Sequence, residues 1–463
     1  MFYISTRDSS KKYSFQEILL KGLAPDGGLY IPETIPKLSD EDLIDILDMD
    51  YQSMAFSIIQ KFIGSDFSEY VLQNMISEAY SSFTDKRITP VVELDQKTSL
   101  LELFHGPTLA FKDIAMQLLA RMIEEVLLRK NQKASVICAT SGDTGGAAVS
   151  AFANKNNIDV FVLFPKDRIS EVQRRFMTTN KAKNMHIISI NGNFDDCQKI
   201  VKSLFTDESF SKSVNLTTVN SINWARIMIQ VVYYFSASAQ IKKNNIPPSY
   251  VVPTGNFGDI YAGYIAKKMG LKIKNLVIAT NVNNILDRCL KTGRYDIKSV
   301  VSTNSPSMDI QISSNFERLL YDILGSNTQE VEGLMKDLHK NGYFNLSQSQ
   351  LSILRNDFSS GSVDENNTLR LIKFVKDRYN KIIDPHTAVA FGVNEAIKLE
   401  RSVILSTAHP AKFPETIKES TGVYPDLPEN NKNIYKLSEK ITEFDDNVDD
   451  ITRFILSKHE IGN

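Results

Sequence analysis

The residues of this chain best suited to covalent chemistry lie between Phe104 and Leu128, where FHGPTLAFKDIAMQLLARMIEEVLL carries one lysine, Lys112. After the breakers Gly106 and Pro107, apolar side chains recur at Ala115, Leu118, Leu119, Met122, Ile123, Val126 and Leu127, the spacing of a helix's buried face. Continued back one turn, that face takes in Lys112, and Gln117, Arg121, Glu124, Glu125 and Arg129 fall on the outer face. An ammonium kept from water is disfavoured, and an amine whose pKa falls becomes a nucleophile able to form a Schiff base. The plainer alternative is a lysine that snorkels to solvent from a helix end.

Three further loops bear polar groups at the ends of β-branched runs. ATSGDTGGA (139–147) lets backbone amides converge at a helix start, with Ser141 and Thr144 adding hydroxyls, an arrangement that favours an anion. It matches neither a P-loop nor the dinucleotide fingerprint, so no nucleotide is indicated. PTGNFGD (253–259) offers a second nest through Gly255 and Gly258, with Asn256 as a side-chain donor. A phosphate monoester suits it, provided that Asp259 contributes its amide and not its carboxylate. STAHPAKF (406–413) puts Thr407 at a strand's carboxyl end, where a hydroxyl can meet a ring heteroatom. Each loop alone also reads as an ordinary turn, Thr407 as a core threonine and His409 as a packed histidine. Together with a poised lysine they suit one cofactor, pyridoxal phosphate, whose aldehyde, phosphate and ring nitrogen need these three kinds of partner.

The elements that must position these groups follow a change of pattern along the chain. Residues 1–87 are mostly helical in pattern, with amphipathic segments around 42–47, 55–62 and 70–83 and a turn at 23–32. Thereafter short β-branched runs at 135–139, 160–164, 186–190, 250–252, 276–279, 300–303 and 403–407 read as strands. Helical patterns at 145–155, 170–180, 194–205, 222–241, 259–269 and 386–399 fall between most of them. Such alternation predicts an α/β class with largely parallel sheets and ligands at the strands' carboxyl ends. A polar, helix-rich insertion is expected near 315–377 with a turn at 359–367, and the acidic tract 443–450 reads as the solvated face of a terminal helix.

Composition narrows the partners. The 463 residues carry 53 basic and 55 acidic side chains, a balance that argues against nucleic acid or an anionic membrane as the main partner. Cys138, Cys197 and Cys289 are few and far apart, which fits a reducing compartment. Neither they nor the six histidines have metal-ligand spacing, so no metal is expected. Nothing at the start reads as a signal or transit peptide, and the most apolar run, 227–241, is broken by polar residues. A cytoplasmic protein is expected.

HGPTLAFKD (105–113), ATSGDTG (139–145), PTGNFGD (253–259), ATNVNN (279–284) and TAHPAKF (407–413) together resemble the threonine synthases, in the branch found in yeast and many bacteria. YISTR (3–7) and GLAPDGGLYIP (22–32) resemble that branch's N-terminal domain. The resemblance runs in order over nearly the whole chain, with little to match at 315–377 and in the C-terminal tail.

It implies a fold type II pyridoxal-phosphate enzyme, with two α/β domains around the cofactor plus a helical N-terminal region. The expected division is 1–87 for the N-terminal domain, 88–130 with 223–463 for the large cofactor-binding domain, and 131–222 for the small one. It also implies conversion of O-phospho-L-homoserine and water to L-threonine and phosphate. Lys112 would form the Schiff base, Gly255, Asn256, Phe257, Gly258 and the Asp259 amide would hold the cofactor phosphate, and Thr407 would face the ring nitrogen. Ser141, Gly142 and Thr144 would receive the substrate carboxylate, and Asp143 lies where related sulphydrylases and dehydratases carry an asparagine beside the cofactor hydroxyl. Lys61, Arg168, Arg174, Arg175 and Lys412 are the candidate cations for the substrate phosphate. The alternatives are a phospho-lyase that releases a 2-oxo acid and, from another class, a non-catalytic α/β binding protein. The sequence leaves monomer and homodimer both open.

Overall fold

Short apolar β-branched runs suit parallel strands in a sheet covered on both faces, and the chain builds two such sheets. The computed structural model describes residues 1–241 and 246–461, with side chains through Lys458. Its larger sheet has six strands in the order Phe358–Ser362, Leu276–Thr280, Ser249–Pro253, Ser402–Ser406, Thr98–Glu102 and Val91–Glu93. All neighbours are parallel except the last pair. The smaller sheet runs Thr442–Asp445, Met185–Asn191, Ile158–Pro165, Ala134–Ala139 and Leu216–Thr217, parallel throughout.

Parallel pairing has one consequence for function: the carboxyl ends of four adjacent strands share one edge. From that edge leave the segments beginning at Asn281, Thr254, Thr407 and Leu103, which contain four of the five motifs that lie outside the N-terminal region. The fifth, ATSGDTG, leaves the carboxyl end of Ala134–Ala139 in the smaller sheet.

The helix Lys112–Arg129 is buried almost all round. Gln117, expected on its outer face, is buried and its Nε2 donates to Ser150 Oγ at 3.2 Å, because the helix Asp143–Phe152 covers that side. The N-terminal region supplies four helices, Phe15–Lys21, Asp40–Asp48, Tyr51–Ile63 and Glu69–Tyr80, started by side-chain caps at Ser14, Ser39, Asp50 and Ser68. The strands Tyr3–Ser5 and Tyr30–Pro32 pair antiparallel, so the end of the expected turn is extended chain. Glu317 takes Arg7 Nη2 at 2.7 Å and Thr6 Oγ1 at 2.6 Å, joining this region to the helix Phe316–Ile323.

Three expectations need correction. Residues 300–303 form no strand; Asn283 instead clamps Val301 through its amide and carbonyl, each at 2.8 Å, and Val300 and Val301 are left exposed. Within the helix-rich insertion, Phe358–Ser362 forms an edge strand of the larger sheet, and its serines and glycine had the composition of a turn. The acidic tract begins as the strand Thr442–Asp445, whose Phe444 ring lies 5.4 Å from that of Phe454 over the smaller sheet's core. A strand with one wet face alternates acid and apolar side chains, a pattern also compatible with a solvated helix. The chain's end thus joins the smaller sheet, although the sequence had grouped it with the larger unit.

Among the described residues no helix is long and apolar enough to cross a membrane, and no group of three or more His, Cys, Asp or Glu side chains is placed to hold a metal.

Candidate active site

Lys112 is fixed by backbone pairing between two of the segments that leave the larger sheet. The Phe111 amide donates to the Thr407 carbonyl at 2.8 Å, the His409 amide donates to the Leu109 carbonyl at 3.0 Å, and Ala110 bridges Ala408. Asp113 closes the turn before the helix by accepting from the Thr108 amide at 2.8 Å and the Thr108 hydroxyl at 2.6 Å. Lys112 is therefore the helix's first residue, 9% exposed, with its Nζ 4.6 Å from the Phe111 ring centroid.

Its amine has no close partner. Asp143 Oδ2 lies 3.6 Å away, beyond a normal hydrogen bond. Burial pulls the Lys112 pKa below the ordinary lysine value; Asp143 opposes this, and the positive charges of Arg226 and Lys412 reinforce it. Asp143 is held differently. Burial alone would raise its pKa, but Lys412, Lys112 and the Gln173 amide outweigh that and keep the carboxyl far below the usual range. Lys412 Nζ is 2.9 Å from Asp143 Oδ1, and Gln173 Nε2 donates to the same oxygen at 2.9 Å.

The loop before Asp143 is shaped by Thr140, whose hydroxyl accepts from the Gly142 and Gly145 amides, each at 2.9 Å. Gly142 has φ +129° and a Cβ on it would lie 2.6 Å from the Gln173 side chain, so only glycine fits. The amides of Ser141, Asp143 and Thr144 have no partner among the described residues, and neither do the hydroxyls of Ser141 and Thr144. These groups are free to receive an anion.

The second nest passes a sharper test. In PTGNFGD the carbonyls are occupied: Ser313 Oγ donates to Gly255 at 2.6 Å, and the Asn315 amide and Nδ2 donate to Asn256 at 3.1 and 3.0 Å. The amides of Gly255 to Asp259 have no partner among the described residues. Phe257 takes the left-handed conformation, φ 63°, which lets consecutive amides converge. A Cβ at Gly255 would lie 2.5 Å from the Ser307 carbonyl oxygen, so the cradle admits no side chain there. The Asp259 carboxylate is withdrawn from the nest's amides by Tyr233 and Tyr234, whose hydroxyls both donate to Oδ1. Burial still pushes its pKa up to about 6. Five unpartnered amides at a helix start fit a phosphate monoester, and the buried amine fits an aldehyde.

ATNVNN proves to be a brace. Asn281 and Asn283 both donate to Asp309 Oδ1, at 2.8 and 3.0 Å, and so secure residues 301–309 behind the Gly255 cradle. Thr407 is buried just past Ser402–Ser406, with no hydrogen bond to its hydroxyl from the described residues.

Known proteins resemble this chain over nearly its whole length. The family profile "Threonine synthase N terminus" matches residues 2–80, "Pyridoxal-phosphate dependent enzyme" residues 84–338, and "Threonine synthase, C-terminal" residues 387–455. The chain is 41% identical over 465 residues to "Threonine synthase" of Pseudomonas aeruginosa, covering 99% of this chain and 98% of that one. It belongs to the threonine synthases. The solved structure "PLP bound Threonine synthase from Brucella melitensis" superposes with a TM-score of 0.96 at 44% identity over 99% of both chains. The structure of threonine synthase from yeast gives 0.94 at 38% identity, over 100% of this chain and 99% of that one. The fold is that of the fold type II pyridoxal-phosphate enzymes, the cofactor is pyridoxal phosphate, and the chain is a lyase of threonine biosynthesis. The non-catalytic reading is set aside.

The cations named from sequence are, for the most part, already engaged. Arg174 Nε lies 2.8 Å from Glu439, Arg175 Nε lies 2.7 Å from Glu171, and Lys412 holds Asp143. Arg168 is exposed, and Lys61 lies half-buried in the N-terminal helix Tyr51–Ile63. The cation that sequence reading missed is Arg226, in the first turn of Trp224–Gln240. It is 4% exposed, its Nη1 donates to the Val219 carbonyl at 3.2 Å, and its Nε is buried without a partner. No carboxylate among the described residues pairs with it, and burial lowers its pKa to about 10. An arginine directly before the apolar run IMIQVVYYF was the available signal, since such a position draws the charge inside.

Proposed function

We propose that this chain converts O-phospho-L-homoserine and water to L-threonine and phosphate. The observation that supports the reading best is the meeting, at one sheet edge, of a buried and weakly paired amine with five unpartnered amides. When bound, pyridoxal phosphate supplies an electron-withdrawing aldehyde and ring. Lys112 would link to it, Gly255, Asn256, Phe257, Gly258 and the Asp259 amide would hold its phosphate, Thr407 would face its ring nitrogen, and Asp143 would stand beside its hydroxyl.

The chain's own groups then have defined tasks. Ser141, Gly142 and Thr144 bind the substrate carboxylate at the start of Asp143–Phe152. Arg226 replaces the sequence candidates as the cation for the substrate phosphate, because its guanidinium alone among those considered is buried without an acid. Phosphate departs from the γ-carbon, so protons must leave the α-carbon and then the β-carbon. The Lys112 amine, once displaced by substrate, carries both. Thr407 offers a neutral hydroxyl where a carboxylate would enforce a protonated ring. The protein acts in the cytoplasm as a monomer or homodimer. Its domains divide as 1–87, 88–130 with 223–441, and 131–222 extended by 442–461.

Supplying O-phosphohomoserine and identifying the amino-acid product tests the reading. Threonine with equimolar phosphate is expected. Phosphate with 2-oxobutyrate and no threonine would favour a phospho-lyase that departs from the same early carbanion.

A further inference from the structure

Two lysines share one carboxylate at the junction of the two sheets, and the geometry divides it unequally. Lys412, in the turn after Ser402–Ser406, is wholly buried. Its Nζ lies 2.9 Å from Asp143 Oδ1 and donates to the Thr108 carbonyl at 2.7 Å, and the Phe176 ring covers it with its centroid at 5.2 Å. The Lys412 carbonyl accepts from Ser170 Oγ at 2.9 Å, which anchors the turn to the smaller unit. Lys112 has only the far oxygen of Asp143, at 3.6 Å. One buried carboxylate can compensate one buried ammonium. The lysine with the short contact and a second acceptor keeps its proton, and the other is left the poorer place for charge.

We propose that Lys412 is a positioning residue for Lys112: by claiming Asp143 it withholds the acid that would otherwise hold the Lys112 amine protonated. The proposal rests on the reading of Lys112 as the cofactor lysine. The charged groups facing Lys112 are Asp143 from the smaller sheet's loop, Arg226 from Trp224–Gln240, Lys412 itself, and Asp259 from Gly258–Met269. Lys412 is faced by Asp143, Asp113 and His409. Arg226 and Asp259 stay in place when Lys412 is replaced, so a changed Lys112 would report the Asp143 division.

The test uses the full-length chain freed of cofactor. Formaldehyde with cyanoborohydride methylates neutral amines, and mass spectrometry of the Lys112 peptide across a pH series gives the pH of half-maximal labelling. In Lys412→Met, Asp143 turns to Lys112 and that midpoint rises by about one unit or more, so labelling at neutral pH falls about 10-fold. Lys412→Arg restores the original profile, which a general packing defect would not allow. An unchanged midpoint in folded Lys412→Met overturns the proposal. Where Lys412→Met does not fold, Lys412→Gln, which is uncharged but polar, is read in the same way: a midpoint raised by about one unit supports the withheld acid, and an unchanged midpoint overturns it. Enhanced labelling at a lysine other than Lys112 would instead overturn the cofactor-lysine assignment, and the labelled peptide separates the two failures.

Discussion

The Phe111 amide donates to the Thr407 carbonyl at 2.8 Å, and this bond helps to set the helix that begins at Lys112 against the strand end proposed to face the cofactor's ring. Because the backbone fixes the start of the helix, the Lys112 side chain is not needed to hold it. Lys112→Ala is therefore expected to lower turnover by on the order of 10³-fold or more while the thermal midpoint moves by only a few degrees. Pyridoxal phosphate should still bind, without the absorbance of the lysine-linked form. Near-normal threonine production in this variant would remove Lys112 from the chemistry.

Gly255 tests the phosphate cradle. An added Cβ would lie 2.5 Å from the Ser307 carbonyl oxygen, a backbone atom that Asn281 and Asn283 hold in place through Asp309. Gly255→Ala must then turn the loop and its free amides. Cofactor affinity, read by fluorescence titration, should weaken by about 10-fold or more, equivalent to roughly 1.4 kcal/mol. Wild-type affinity in Gly255→Ala would mean that the phosphate sits elsewhere.

The sequence made the parallel-sheet architecture, and the loops that form the candidate site, legible for one physical reason. Strands buried on both faces are continuous apolar runs, and loops that bind anions need glycine where backbone amides converge. Hence Lys112, the 253–259 nest and Thr407 could be found locally. Edge strands carry no such mark: Phe358–Ser362 has the composition of a turn and Thr442–Asp445 that of a solvated surface. Charge pairing was illegible as well. Lys412 and Asp143 are far apart in sequence, and only the fold reveals that their contact engages Lys412, while Arg226, absent from the cations named from sequence, is buried with an unpartnered Nε.

His409 predicts an acid sensitivity of the fold. Burial, aided by the charge of His105, lowers its pKa from 6.5 to about 4. Between those values the unfolded ring binds a proton that the folded ring refuses. Stability is thus unaffected above about pH 6.5 and is lost as pH falls toward 4, by at most roughly 3 kcal/mol before solvent screening at this half-buried site reduces it. His409→Asn keeps an acceptor for the Ala411 amide, which His409 Nδ1 now receives at 3.2 Å, and cannot titrate. Urea unfolding at pH 7.5 and pH 5 should show a smaller loss in the variant, by about 1 kcal/mol or more. Equal losses in both proteins would place the acid sensitivity on other groups.

Arg226 separates a functional charge from a structural one. Its guanidinium is buried with an unpartnered Nε and one carbonyl contact, a placement that costs stability in the free protein. Methionine, which stands in for the aliphatic stem without the charge, removes that cost, so Arg226→Met is expected to melt at the parent temperature or above it. If Arg226 receives the substrate phosphate, the same variant loses about 10²-fold or more in kcat/KM, mainly through KM, and inorganic phosphate no longer inhibits it. A structural arginine predicts the reverse pair of results. Loss of several degrees in the melt with phosphate inhibition intact would return the search for the phosphate site to the remaining cations.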